Sequence, residues 1–208
     1  MPKVIAICNP KGGAGKTTLT AALAASAPGK VVAIDADPQG SLLLWWERRG
    51  EHDFECVAAS EEKSLARTIS KERAGKADWV VIDTPPALIE QIEAAVMGAD
   101  YIVVPVRASI FDIEPVAIIA ELAALYGKPF GLVVNAADKD WANVEQTIGA
   151  LADFGTVLGK LRYHERHAVA ATVGQTAAEY KGRTTADKKE IDALWASIKS
   201  HMTKRVRA

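Results

Sequence analysis

Short runs of consecutive apolar, mostly β-branched residues punctuate the chain: Val4-Ile5-Ala6-Ile7, Val31-Val32-Ala33-Ile34, Trp79-Val80-Val81-Ile82, Tyr101-Ile102-Val103-Val104 and Phe130-Gly131-Leu132-Val133-Val134. Runs of that length without polar alternation read as strands buried on both faces. Between them, apolar positions recur at helical spacing over 16–27, 61–73, 87–97 and 115–126, and these segments stop at Pro28-Gly29, Gly75, Gly98 and Gly127. Strand, helix, strand in repetition predicts an α/β fold, a mostly parallel twisted sheet with helices on both faces. Additional short strands are expected over Phe54 to Ala58 and Thr156 to Leu161, and helices over 141–153 and 187–202. The last helix carries Ile191, Leu194, Trp195, Ile198 and Met202 on one stripe. No repeat, low-complexity tract or linker divides residues 1–208, which therefore read as a single domain.

Composition narrows the class. The 208 residues hold 25 Lys+Arg against 26 Asp+Glu, a net charge of −1, with 49% hydrophobic and 25% charged residues. Disorder, collagen and a globally basic nucleic-acid binder are excluded. Cys8 and Cys56 lie far apart with no Cys-x-x-Cys spacing, so neither a disulfide scaffold nor a zinc or iron–sulfur site is indicated, and a reducing cytoplasm is expected. Val4 to Cys8 is too short for a signal-peptide core, and no run approaches the ~20 residues that cross a bilayer.

The chemistry begins where the first strand ends. Asn9-Pro10 leads into Lys11, Gly12, Gly13, Ala14, Gly15, Lys16, Thr17 and Thr18, followed by an alanine-rich helix. Gly12, Gly13 and Gly15 let successive N–H groups point into one concavity, and the helix starting near Lys16 adds its positive dipole end. A polyphosphate fits there. Lys16 can reach its β- and γ-phosphates, and the Thr17 hydroxyl can ligate Mg2+. The strict pattern G-x-x-x-x-G-K-[ST] fails, because Pro10 occupies the first glycine position; a second lysine, Lys11, stands at the front of the loop instead.

That loop resembles the ParA/MinD family of deviant P-loop ATPases. Further matches follow in family order: Val31 to Ile34 with Asp35-Ala36-Asp37-Pro38-Gln39-Gly40-Ser41, then Val80-Val81-Ile82-Asp83-Thr84-Pro85-Pro86, then Ile102 to Val106 with Ser109 and Phe111-Asp112. The likeness is closest to the small ParA partition proteins, is clear over residues 3–135 and fades beyond about 140. It implies a single-domain P-loop ATPase with ATP and Mg2+ as cofactors. By resemblance, Asp37 orients the attacking water, Asp35 and Asp83 hold the magnesium shell through waters, and Lys11 crosses a homodimer interface to the partner's phosphates. The lesser alternative for Asp35 is a cap for a helix at Ser41-Leu42. Asn135 is placed where family members read the adenine edge, and it also suits a plain turn ending a strand. Pro85-Pro86 either senses the γ-phosphate or makes a tight turn.

Residues 181–208 hold eight basic residues against three acidic ones, so a basic helix and tail over about 187–208 offset an otherwise acidic chain. Such an end is an electrostatic footprint for phosphate backbones, to which Lys160, Arg162 and Arg166 add if the last strand lies nearby; a solvated helical face is the plain alternative. The sequence opens on the first strand, without the N-terminal helix-turn-helix of larger partition ATPases, so the resemblance implies non-specific DNA binding, a ParB-like or adaptor protein that stimulates ATPase activity, and a cytoplasmic, nucleoid-associated location. Two other readings share the loop: a MinD-like membrane-surface ATPase using the stripe at Ile191 to Ile198, and an ATP-dependent small-molecule ligase resembling dethiobiotin synthetase, which lacks Lys11's counterpart. Core packing of that stripe is expected, without stable membrane association. Of Trp45 and Trp46, one is expected in the core.

Overall fold

A computed structural model of the chain describes residues 1–50, 52–109, 112–137, 141–162, 165–180 and 185–204, leaving out the side chains of 136–137, 141–143, 185 and 204. The elements run β1 (Lys3–Ile7), α1 (Lys16–Ala25), β2 (Val31–Asp35), α2 (Ser41–Glu47), β3 (Glu55–Ala58), α3 (Glu62–Arg73), β4 (Trp79–Asp83), α4 (Ile89–Gly98), β5 (Tyr101–Arg107), α5 (Glu114–Leu125), β6 (Phe130–Ala137), α6 (Trp141–Ala152), β7 (Val157–Arg162), α7 (Arg166–Ala171) and α8 (Thr185–Lys204). The seven strands form one sheet in the order β3-β2-β4-β1-β5-β6-β7. Every pairing in it is parallel.

Each strand of the sheet's centre is apolar throughout because it feeds two cores. In β1, Val4 and Ala6 join Leu65, Ile92 and Val116 of α3 to α5, whereas Ile5 and Ile7 join Leu19, Leu42 and Trp195 of α1, α2 and α8. Side chains alternate faces along a strand, so one continuous run supplies both layers. The stripe of α8 is part of this packing: Ile191, Leu194, Trp195 and Ile198 are buried, and Trp195 Nε1 donates to Leu23 O at 3.2 Å. An apolar face consumed by the core offers nothing to a lipid surface. Trp45 is buried beneath the Arg49 guanidinium, while Trp46 is half-buried and stacks on His52.

The carboxyl ends of β1, β2, β4, β5 and β6 converge on one edge. Register places Ile7 beside Asp83, Asp35 beside Asp83, and Arg107 beside Asn135. An open parallel sheet binds ligands at that edge.

Candidate functional site: a phosphate loop over two buried carboxylates

Asn9, fully buried, anchors the loop after β1: its Nδ2 donates to Pro105 O at 2.8 Å, and its Oδ1 accepts the Lys11 N–H at 2.8 Å. Gly13 and Gly15 then take left-handed φ of 73° and 91°, turning the chain into α1. Such angles suit glycine. At Gly15 space matters as well, since a β-carbon there would collide with the Asn135 amide, whose Nδ2 donates to Ala14 O at 2.8 Å.

Lys16 opens α1 with its ammonium 3.1 Å from Lys11 O, and burial pulls its pKa down against the opposing pull of Asp83 and Asp37. Asp83 ends β4 with no exposed surface. Its Oδ1 accepts the Thr20 hydroxyl at 3.2 Å, while Oδ2 is buried without a hydrogen-bond partner. Burial pushes its carboxyl up to about 7, despite hydrogen bonds from Thr17 and Thr20. Asp35, on the adjacent strand, is also raised by burial. Both its oxygens are engaged, Oδ1 by the Asp37 N–H at 3.1 Å and Oδ2 by the Leu43 N–H at 2.9 Å. Asp35 therefore binds an amide of the first turn of α2, and each of its oxygens keeps a lone pair.

The loop after β4 is tied to the phosphate loop. The Thr84 hydroxyl donates to Ile7 O, and the Ala87 N–H donates to Pro10 O at 3.0 Å from a residue held at φ 56°. Lys11 pairs in its own chain with Asp112, a nearly buried carboxylate, at 2.7 Å. Phe111, the neighbour of Asp112 in the matched segment, lies outside the described residues.

A cavity of about 550 Å3 opens over the loop, lined by Gly12, Gly13, Gly15, Lys16, Thr17, Thr18, Asp37, Gln39, Pro86, Arg107, Asn135, Arg162 and His167. That size suits a nucleotide. The fold thus gathers Lys16, Thr17, Asp37 and Asn135 around one space, with Asp83 buried next to Thr17 and Lys16 and Asp35 beside it on β2. Arg107 and His167 were not legible as site residues, because no spacing rule marks a single side chain at a strand end or on the six-residue α7; Gln39 stands within the matched segment Asp35 to Ser41 but was given no role there. Arg162 and Arg166 sit beside α8, each with an acidic partner on it at 2.9 Å, Glu190 and Asp187.

Two fits follow from these contacts. Curled glycine amides, a helix N-terminus and Lys16 suit a polyphosphate. The orphaned Oδ2 of Asp83 beside Thr17 suits a hydrated magnesium ion, whose waters supply the missing donors. Among the described residues no cluster of His, Cys, Asp or Glu could hold a metal by itself.

The family model described as CobQ/CobB/MinD/ParA nucleotide binding domain matches residues 5–177. The chain belongs to this family. Among curated relatives, it is 41% identical over 115 residues to Maintenance of carboxysome distribution protein A of Gloeobacter kilaueensis, covering 54% of this chain and 52% of that protein. It is 30% identical over 114 residues to Protein ParA of Rhizobium radiobacter, covering 52% and 50%. The chain spans about half the length of the curated relatives it matches. The putative plasmid partition protein of Borrelia burgdorferi B31 bound to AMPPNP superposes with a TM-score of 0.78 at 18% identity, over 96% of this chain and 99% of that one. The ATP complex of a Cyanothece McdA variant gives 0.77 at 18%, over 95% and 96%. Aquifex aeolicus MinD gives 0.73 at 20%, over 92% and 95%. At such identities these likenesses establish the fold alone.

Proposed function

We propose that the protein is a ParA-like partition or positioning ATPase, in which ATP closes a homodimer that binds DNA non-specifically until a ParB-like or adaptor partner stimulates hydrolysis. The observation that carries this reading is the pairing of a two-lysine phosphate loop with a buried, half-satisfied Asp83 beneath it. Lys11 and Lys16 have separate tasks: Lys16 serves its own chain's phosphates, while Lys11 stands outside the cavity lining and is available to exchange Asp112 for a phosphate of a second chain.

In this scheme, the amides of Gly12 to Thr18 and the Lys16 ammonium grip the phosphates. Thr17 and Asp83, with Asp35 beside Asp83 on the neighbouring strand, would hold a magnesium ion, which would supply charge neutralisation to the phosphates. Asp37, which lines the cavity, orients the attacking water. Asn135 donates to Ala14 O and keeps Oδ1 as an acceptor for the adenine amino group. A MinD-like membrane role is disfavoured by the burial of the α8 stripe, and no helix among the described residues is long and apolar enough to cross a membrane.

The test is Asp37→Ala. The variant should bind ATP with wild-type affinity, hydrolyse it at least ~100-fold more slowly in the presence of partner, and accumulate as a dimer on a sizing column. Normal turnover by the variant, or a wild-type protein that stays monomeric in ATP and releases a ligated small molecule, overturns the reading.

A further inference from the structure

Arg107 closes β5 beside Asn135, and its guanidinium lies over Gly13. Its Nη2 is 3.3 Å, Cζ 3.7 Å and Nη1 3.9 Å from where a Gly13 β-carbon would stand. The missing side chain at Gly13 is what lets the planar group lie against the loop. Among the described cations lining the cavity, Lys16 has Lys11 O and Arg162 has Glu190, whereas the Arg107 guanidinium has no hydrogen bond or ion pair to the described protein. Asp37 shares the cavity without pairing with it. A guanidinium held at the mouth of a phosphate cradle, with its donors unassigned, is set up to take two oxygens of one phosphate or to bridge two phosphates.

We infer that Arg107 is a phosphate-holding arginine supplied by the same chain, giving each subunit a second cationic grip on the nucleotide beyond Lys16. This inference rests on the nucleotide-binding reading above and adds to it: Arg107 favours nucleotides carrying β- and γ-phosphates, and it acts before any second chain brings Lys11. Because its donors engage nothing in the described protein, its removal leaves the nucleotide-free fold intact.

The experiment is calorimetric titration of the full chain with ATP, ADP and AMP in magnesium buffer, comparing wild type, Arg107→Ala and Arg107→Lys, each also in a Lys11→Ala background. The expected result is a loss of about tenfold or more in ATP affinity for Arg107→Ala, partial recovery with lysine, and a smaller loss for AMP than for ATP. The same loss should persist without Lys11, and the nucleotide-free melting temperature should be unchanged. Unaltered ATP affinity in Arg107→Ala overturns the inference. So does a loss that lysine fails to recover and that comes with a lowered nucleotide-free melting temperature, since Arg107 would then shape the loop rather than hold phosphate. A wild-type chain that binds none of the nucleotides overturns the functional reading itself, which separates the two failures.

Discussion

The Lys11 ammonium lies 2.7 Å from Asp112 Oδ1, so the lysine that distinguishes this loop is held by a nearly buried acid of its own chain. Asp112 is kept in place by its N–H bond to Ser109 O at 2.9 Å. Any role for Lys11 on a second chain therefore requires this ion pair to break, and the buried carboxylate then loses that cation. Substitution separates the two consequences. Lys11→Ala should lower the melting temperature of the nucleotide-free protein and abolish ATP-dependent dimerisation. Between the ~0–1 kcal/mol of exposed pairs and the ~3–5 kcal/mol of breaking a buried one, the half-exposed lysine suggests a loss of about 1–3 kcal/mol. Adding Asp112→Asn should restore the melting temperature without restoring the dimer, as scanning calorimetry and light scattering will show.

Gly15 and Asn135 form a second coupled pair. Gly15→Ala places a β-carbon at φ 91° and against the Asn135 amide. The left-handed backbone alone costs about 1–2 kcal/mol. The collision adds to it and displaces the bond to Ala14 O. Gly15→Ala should thus lower stability by more than the backbone term and weaken ATP binding, while Gly15→Ala with Asn135→Ala recovers only the collision. A double-mutant cycle in urea should give a coupling of at least ~0.5 kcal/mol; simple additivity would show that the amide swings away freely.

The sheet was legible because burial on both faces leaves no polar residue inside its central strands, and the phosphate loop because glycines, lysine and threonine stand in fixed order between a strand and a helix. The remaining features depend on tertiary neighbours. Asp35 carries the same sequence signal whether it serves a metal or a helix end, and its contact with the Leu43 N–H exists only once α2 folds over the end of β2. Arg162 and Arg166 look like surplus charge until α8 brings Glu190 and Asp187 alongside. Arg107 had no signal at all, since its significance lies in the absence of a side chain on Gly13, far away in sequence.

Asp83 ties the proposed magnesium site to the pH dependence of stability. Its carboxyl rises from 3.8 to about 7 through burial, so the folded chain binds this proton more tightly than the unfolded chain does. For such a group the folded state is favoured on the acid side, and that contribution is lost as pH climbs from about 4 to about 7. Asp83→Asn should remove this slope from the pH dependence of melting without nucleotide, and raise the melting temperature at pH 8. The same variant should lose the gain in ATP affinity that magnesium gives the wild type, measured against EDTA. A variant less stable than wild type at pH 8, still responding to magnesium, would assign Asp83 to the core instead of the metal.

The basic end reaches beyond α8: Lys199 is exposed on that helix, while the Lys204 side chain and Arg205 and Arg207 lie outside what the structure describes. Residues 181–208 hold eight basic residues against three acidic ones, so positive charge is concentrated in this end. Neutralising Lys199, Lys204, Arg205 and Arg207 together should weaken ATP-dependent DNA binding about equally for all sequences, since phosphate contacts carry no base information. Each lost contact should reduce the slope of log K against log salt by about 0.9, a change that a folding defect does not imitate. ATPase activity without DNA should persist. Dimer closure would bring two weak patches onto one duplex, which explains a requirement for ATP through effective concentration alone. An unchanged affinity and salt slope in the quadruple variant would make the basic tail a solvated end and move the DNA surface elsewhere, to the neighbourhood of Lys160, Arg162 and Arg166.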